Sequence, residues 1–307
     1  MKIYIKKNVI KSPKITEGYM PYLGYQVYYR IVGEKKDNNK KPLLLLHGGP
    51  GSTHNSFEVL DKLSILDDRQ LIMYDQIGCG LSYVDGHPEL WTLKTWINEL
   101  KELRKHLNLN DVHILGHSWG GMLEIAYISD ENPQGIKSAI LFSTLSDSQL
   151  WGREQHRRIK YLSKENQEVI ERAEKTGDYS NIDYILAESI FMHRHCNSPV
   201  NIDSPECLVR PKKFGRESYN TAWGPNEFTP IGNLKDFNYT EKLKNWNVPS
   251  LIISGTDDLS SPLIAKTMYD RIPGARWELF EDLKHIAYVE QNEKTINLLV
   301  EWLNKYD

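Results

Sequence analysis

Ser118 stands in Gly116-His-Ser-Trp-Gly120, between the apolar run Val112 to Leu115 and the helical stretch Met122 to Ile128. A serine between two such glycines, at the point where a strand turns sharply into a helix, is a nucleophile elbow. Side chains at the flanking positions would collide across the turn, and the turn leaves the hydroxyl alone at a helix head, where the dipole favours developing negative charge. The chemistry this implies is attack of Ser118 Oγ on a carbonyl carbon.

A serine needs a base, and after an elbow of this kind the chain order is serine, then an acid, then histidine. Of the ten histidines, His285 alone lies late enough, in Asp282-Leu-Lys-His285 after the apolar run that ends at Phe280. Gly255-Thr-Asp257-Asp258, after the run Ser250 to Ser254, offers two adjacent acids. Asp257 is the expected partner of His285, since one crossover helix and one strand fit between them. Such a carboxylate holds the imidazole tautomer that leaves Nε2 free to accept the serine proton. The oxyanion that forms needs two backbone donors. Gly49, in the glycine-rich His47-Gly-Gly-Pro-Gly51 loop after Leu43 to Leu46, and Trp119, next to the nucleophile, are expected to supply them.

The elements that must position these residues alternate. Short apolar runs at Leu43–Leu46, Gln70–Tyr74, Val112–Leu115, Ser138–Phe142, Ser250–Ser254 and Arg276–Phe280 read as buried parallel strands. Residues 1 to 10 and 24 to 32 read as antiparallel strands ahead of them. Leu93, Trp96, Ile97, Leu100, Leu103 and Leu107 form one apolar helical stripe with Thr92 as its N-cap, and Ile296, Leu299, Val300 and Leu303 mark a last helix. Residues 147–236 break the alternation with charged, helical patterns at Arg157 to Lys175 and Tyr184 to Met192. An inserted helical unit cannot extend a parallel sheet and is expected to cap one edge of it. The predicted organisation is a core domain of residues 1–146 and 237–307 with a mainly helical cap at 147–236.

The chain has 307 residues, 40% hydrophobic and 26% charged, which excludes disordered and collagen-like classes. Lys and Arg number 38 against 41 Asp and Glu, with no basic stripe, so nucleic acid is not an expected partner. No apolar run approaches the roughly 20 residues of a membrane span. The three cysteines are too few and scattered to staple the fold, which fits a reducing cytoplasmic setting. His193-Arg-His195-Cys196 lacks a second pair of metal ligands, and no metal or organic cofactor is expected.

These motifs together resemble the proline iminopeptidase (prolyl aminopeptidase) family of α/β-hydrolase-fold serine peptidases. The likeness rests on His47-Gly-Gly-Pro-Gly51, Tyr74-Asp-Gln-Ile-Gly-Cys-Gly-Leu-Ser82, Gly116-His-Ser-Trp-Gly-Gly121, Gly224-Pro-Asn-Glu-Phe228, the Gly-x-x-Asp around Asp257, and His285. The resemblance implies an α/β-hydrolase fold, a mostly parallel central sheet flanked by helices with a helical cap insertion. It also implies release of an N-terminal residue, preferentially proline, from a short peptide or amino-acid amide through an acyl-enzyme. In the family, the glutamate of the Gly-Pro-Asn-Glu-Phe segment and an acid directly after the catalytic aspartate hold the substrate's free amino group. Carried over, these are Glu227 and Asp258, where many members have glutamate at the second position. An amidase or an esterase or N-acyl hydrolase of a small metabolite, using the same triad, is the alternative, and a non-catalytic receptor on the same scaffold a third. A hydrolase with an aspartate nucleophile is disfavoured by serine at 118. Oligomeric state is left open.

Overall fold

Short runs of branched and aliphatic residues, buried on both faces, make the centre of the fold. In Leu43–Leu46 the side chains alternate, Leu44 and Leu46 entering one hydrophobic layer and Leu43 and Leu45 the other. The computed structural model describes residues 12–36 and 39–307. It shows an eight-stranded sheet in the order β1-β2-β4-β3-β5-β6-β7-β8. The strands are β1 (Ile15–Tyr22), β2 (Tyr25–Val32), β3 (Leu43–Leu46), β4 (Leu71–Tyr74), β5 (Val112–His117), β6 (Ile136–Phe142), β7 (Ser250–Gly255) and β8 (Arg276–Phe280). The pairings of β2 with β1 and β4 are antiparallel, and all others are parallel.

Among the longer helices, α1 (Leu93–His106), α2 (Trp119–Glu131), α3 (Ser148–Ile159), α4 (Lys164–Thr176), α5 (Ile182–His195), α6 (Arg216–Ala222), α7 (Pro262–Tyr269) and α8 (Asn292–Tyr306) follow in chain order. The apolar stripe of α1 and the buried residues of α2 and α7 share one layer with the inserted helices α3 to α6. The opposite layer is filled by Ile296, Leu299, Trp302 and Leu303 of α8 with Phe57 and Leu60. Thr92 caps α1, its side chain accepting from the Thr95 amide. Among the described residues no helix is long and apolar enough to cross a membrane.

Two local expectations need correction. The strand expected at residues 1 to 10 lies outside the described residues, and the antiparallel partner of β2 is instead Ile15–Tyr22, a stretch with Gly18 and Pro21. Both are tolerated because β1 is a sheet edge, where a missing donor faces outward. Gly18 also gives the Tyr29 ring its place: a Cβ there would stand 2.4 Å from the Tyr29 hydroxyl. The helical pattern at Arg157 to Lys175 is two helices, broken at Ser163, whose Oγ accepts from the Asn166 amide as the N-cap of α4.

Where β5 hands over to α2 the chain turns against β3. A Cβ on Gly116 would lie 2.4 Å from the Gly120 carbonyl oxygen, and one on Gly120 only 2.0 Å from the carbonyl oxygen of Leu46. Both neighbours are backbone and cannot rotate away. Gly120→Ala is therefore expected to push α2 off the sheet and lower unfolding stability by about 2 kcal/mol, as overpacked cores do, read from denaturant melts; an unchanged midpoint would show that the turn yields freely.

Candidate active site

Ser118 sits at the turn between β5 and α2 with φ 56° and ψ −122°, a left-handed conformation rare for a side-chain-bearing residue. Its backbone is held on both sides. The Ser118 amide donates to the Phe142 carbonyl at 3.0 Å, and its carbonyl accepts from the Gly121 amide (2.9 Å), the Met122 amide (3.2 Å) and Thr144 Oγ1 (2.6 Å). Gly48, in the loop after β3, lies so close that a Cβ there would be 3.1 Å from Ser118 Cβ. Gly48, Gly49, Ser118, Glu227 and His285 all line one cavity of about 410 Å³ at the carboxyl ends of the parallel strands, where open α/β sheets bind ligands.

His285 follows β8, and its imidazole is oriented by a carboxylate at 2.7 Å from Nδ1. That carboxylate belongs to Asp258, and the expectation that Asp257 would hold it is corrected. After β7, the Thr256 amide still donates to the Phe280 carbonyl and the Asp257 amide to the Leu283 carbonyl, which leaves the Asp257 side chain exposed. The chain then folds inward. Asp258, fully buried, accepts at Oδ1 from the Ser260 amide (2.8 Å) as well as His285, and at Oδ2 from the Gly255 amide (3.3 Å). Counted from Gly255, the Gly-x-x-Asp pattern ends on 258.

The same geometry displaces Asp258 from the amino-group role the resemblance implied. Both of its oxygens are engaged, and the residue after it is the apolar Leu259. Glu227 does reach the cavity. Its Oε1 accepts from Tyr219 Oη at 2.8 Å, and burial raises its pKa, against the pull of His285 and of the Tyr219 hydrogen bond. Asn226 shapes the turn that presents it, accepting from the Phe228 and Thr229 amides and donating to Tyr184 Oη at 2.8 Å. Trp151 joins the two halves: its Nε1 donates to the Glu227 carbonyl at 2.7 Å and its ring meets the His285 ring edge-on at 6.0 Å. Trp223 packs behind Trp151, buried, and does not line the cavity.

A second acid went unread in the sequence. Glu188 lies on α5 between Tyr184, which bonds Asn226, and Phe191, which packs on Phe228 at 5.5 Å, so it occupies the face of α5 turned toward Glu227. Burial, and then the charge of Glu227, push its carboxyl up to about 7. The signal was present: a carboxylate placed on the inward stripe of Tyr184, Ala187 and Phe191.

The inserted helices are fastened to the loops that carry His285 and Asp258. Arg158 of α3 donates to the Asp258 carbonyl and Gln155 Nε2 to the Leu259 carbonyl at 2.7 Å. At the end of α5, the carbonyls of His195 and Cys196 accept from the His285 amide at 3.2 and 3.0 Å. His195 Nδ1 meets the Asp257 carbonyl at 2.8 Å, which employs the histidine of the His-x-His-Cys sequence as a structural contact. His117, beside the nucleophile, bonds the His285 carbonyl through Nε2 at 2.9 Å, and burial drives its pKa down to about 3, so it stays neutral.

The two aspartates are separable by experiment. Asp258→Asn should lower kcat by about three to four orders of magnitude, the effect of presenting the wrong histidine tautomer, while Asp257→Asn stays within about threefold, as for an exposed side chain away from the reacting atoms. Steady-state rates on an activated ester or anilide measure both, and the reverse order would restore Asp257.

Comparison with known proteins agrees with this architecture. The family model described as alpha/beta hydrolase fold matches residues 41–291. The chain is 59% identical to the proline iminopeptidase of Clostridium botulinum, over 96% of this chain and all of that protein. Among solved structures, VinJ superposes with a TM-score of 0.87 at 27% identity, covering 95% of this chain and 99% of VinJ. Proline iminopeptidase from Mycobacterium smegmatis superposes with a TM-score of 0.82 at 26% identity, covering 95% of this chain and 98% of the other. With that identity over nearly the whole length of both proteins, the chain belongs to the α/β-hydrolase fold family, within its proline iminopeptidases.

Proposed function

We propose that the protein is a serine aminopeptidase that releases an N-terminal residue, proline by preference, from short peptides. The observation that carries this reading is Glu227, half-buried in the wall of the cavity that holds Ser118 and His285 and with its pKa raised, with Glu188 behind it. A carboxylate is costly in such a place unless a cation completes it. The protonated amine of a peptide's first residue is a cation of the right size, and an N-blocked peptide would leave the acids unpaired. In this reading residues 147–236 act as a cap that closes the amino-terminal end of the cavity.

With the amine on Glu227 and Glu188, Ser118 Oγ attacks the first peptide carbonyl as its proton passes to His285 Nε2. Asp258 keeps the proton on Nδ1 and stabilises the imidazolium. The Gly49 and Trp119 amides receive the oxyanion, which collapses to the acyl-enzyme as His285 protonates the leaving amine. Water, deprotonated by His285, then releases the amino acid and restores the serine. Every step is carried by side-chain and backbone groups. The three free cysteines are consistent with a cytoplasmic setting.

The test compares Pro-, Ala- and N-acetyl-Pro-p-nitroanilide with p-nitrophenyl acetate. Ser118→Ala should lower turnover of the Pro- and Ala-anilides and of the acetate by at least about a thousandfold, and N-acetylation should remove anilide cleavage by the unaltered protein. Glu227→Gln should raise KM for Pro-p-nitroanilide about tenfold to a hundredfold, the worth of a charged hydrogen bond, and leave the acetate within about twofold. Equal losses on anilide and acetate would refute the amine clamp.

A pH dependence follows from the raised carboxyl of Glu188. Below its value of about 7 the group is neutral, and above it anionic. KM for the cationic anilide should therefore fall as pH rises from about 6 to about 8, and Glu188→Gln should flatten that limb while p-nitrophenyl acetate shows no such KM change. A limb of the same steepness in the variant would remove Glu188 from the clamp.

A further inference from the structure

The stretch Tyr74-Asp-Gln-Ile-Gly-Cys-Gly-Leu-Ser82 takes no part in the mechanism above, although it lies beside the nucleophile. Its backbone is immobilised. Asp75 accepts from the His54 amide (2.9 Å) and the Leu81 amide (2.8 Å), and its carbonyl accepts from Ser82 Oγ (2.6 Å), which in turn accepts from the Tyr28 amide. The Ile77 amide donates to Glu99 Oε1 at 2.6 Å. Residue 76 is thus held from both sides, and its carboxamide is aimed at the nucleophile turn.

Gln76, His47 and Trp119 are each about 1% exposed. Gln76 Nε2 donates to the His47 carbonyl at 3.1 Å, and Gln76 Oε1 accepts from Trp119 Nε1 at 2.7 Å. The Gln76 amide also donates to His47 Nε2 at 3.0 Å. His47 Nδ1, which then carries the ring proton, donates to the Gly48 carbonyl at 2.8 Å. Burial pushes the His47 pKa down to about 4, so this tautomer is neutral. Consecutive residues therefore grip the glycine-rich loop at both ends, Gln76 at His47 and Asp75 at His54, where Nδ1 stands 2.7 Å from Asp75 Oδ1. Edge contact with Trp96 at 4.9 Å fixes the far side of the Trp119 indole.

We propose that Gln76 is a positioning residue for the oxyanion hole: its carboxamide ties the loop that carries Gly49 to the side chain of Trp119 and so sets the separation of the two backbone donors. This rests on the assignment of the Gly49 and Trp119 amides to the oxyanion. Only a carboxamide fits both arms, because His47 offers an acceptor and Trp119 a donor. Glutamate would set an oxygen against the His47 carbonyl, and an aliphatic residue would leave both partners buried and unpaired. A hole whose donors drift apart loses strength for the tetrahedral state and not for the planar ground state, so the loss appears in kcat.

The test uses the full chain with Gln76→Leu, Gln76→Glu and Trp119→Phe. Gln76→Leu should lower kcat for Pro-p-nitroanilide about tenfold to a hundredfold, short of the loss of a donor itself, with KM within about threefold. Inhibition by prolinal, whose aldehyde adds Ser118 Oγ to give a tetrahedral hemiacetal, should weaken by the same factor, and inhibition by proline should stay within about twofold. The deficit of Gln76→Glu relative to wild type should shrink as pH falls from about 8 to about 5.5, because the protonated carboxyl regains a donor. Trp119→Phe, which removes one arm only, decides the matter if Gln76→Leu does not fold. A kcat within threefold of wild type, equal weakening of prolinal and proline, or a Gln76→Glu deficit that ignores pH would overturn the proposal. p-Nitrophenyl acetate passes through the same oxyanion, so a protein that cleaves the acetate but not the anilide would fail as an iminopeptidase and still report on Gln76.

Discussion

Ser118 is held where a side chain ordinarily does not go, and the mouth of the sheet is arranged to keep it there. A residue at φ 56° and ψ −122° relaxes unless its surroundings fix it. Three donors converge on its carbonyl, from Gly121, Met122 and Thr144, while its amide is spent on the neighbouring strand at Phe142. The glycines serve this end. With no Cβ on Gly116 or Gly120, α2 can approach β3 to van der Waals distance, and the hydroxyl is left pointing into the cavity. Strain at one residue is thereby balanced by the packing of two layers of core on the sheet that carries it.

The acid loop is tied into the same constraint. Ser260 Oγ donates to the Thr144 carbonyl at 2.6 Å, and Thr144 Oγ1 donates to the Ser118 carbonyl, so the segment that carries Asp258 is joined to the nucleophile turn through one threonine. From the other side the inserted helices hold it. Ser261 Oγ donates to Glu154 Oε2 at 2.7 Å, and Arg158 and Gln155 take the carbonyls of Asp258 and Leu259. Arg158 brings a buried positive charge close to Asp258, where burial lowers its own pKa and the aspartate's charge opposes that shift. These helices are therefore part of the frame that orients the histidine's carboxylate, in addition to walling the cavity.

What could be read from the sequence was what local chemistry decides. The glycine spacing around Ser118, the apolar runs of the parallel strands and the Thr92 cap each announce themselves within a few residues, and the chain order of serine, acid and histidine narrowed ten histidines to one. Asp257 and Asp258 are separable in sequence only by counting Gly-x-x-Asp from Gly255, which ends on 258; their side-chain type does not distinguish them. Their difference lies in a ladder that continues past the end of β7 to Leu283 before the chain folds inward, and no property of two adjacent aspartates encodes the partner strand. Ile15–Tyr22 escaped for a related reason, since glycine and proline argue against a strand except at an edge, and edge position is a fact of topology. Glu188 was hidden by sequence distance: its meaning depends on α5 packing against the Asn226 turn, across the loop and helices that separate them.

In the proposed reading, the charges of the cavity let one free amine govern catalysis at a distance. The imidazoles of His47 and His117, held neutral by burial, add no positive charge beside the nucleophile. Glu227 lies near enough to His285 for their charges to interact, and near enough to Glu188 that its charge makes Glu188 harder to ionise. Glu188 feels the charge of Arg216 as well as that of Glu227, yet its carboxyl is still raised, so in the proposed reading the pair gains from a substrate that brings a positive charge of its own. An ammonium bound there would favour ionisation of both carboxylates. Because Glu227 and His285 interact, amine recognition as proposed would change the electrostatic setting of the base as well as the pose of the scissile carbonyl, and a neutral ligand of the same shape would meet a site with the right geometry and the wrong charge.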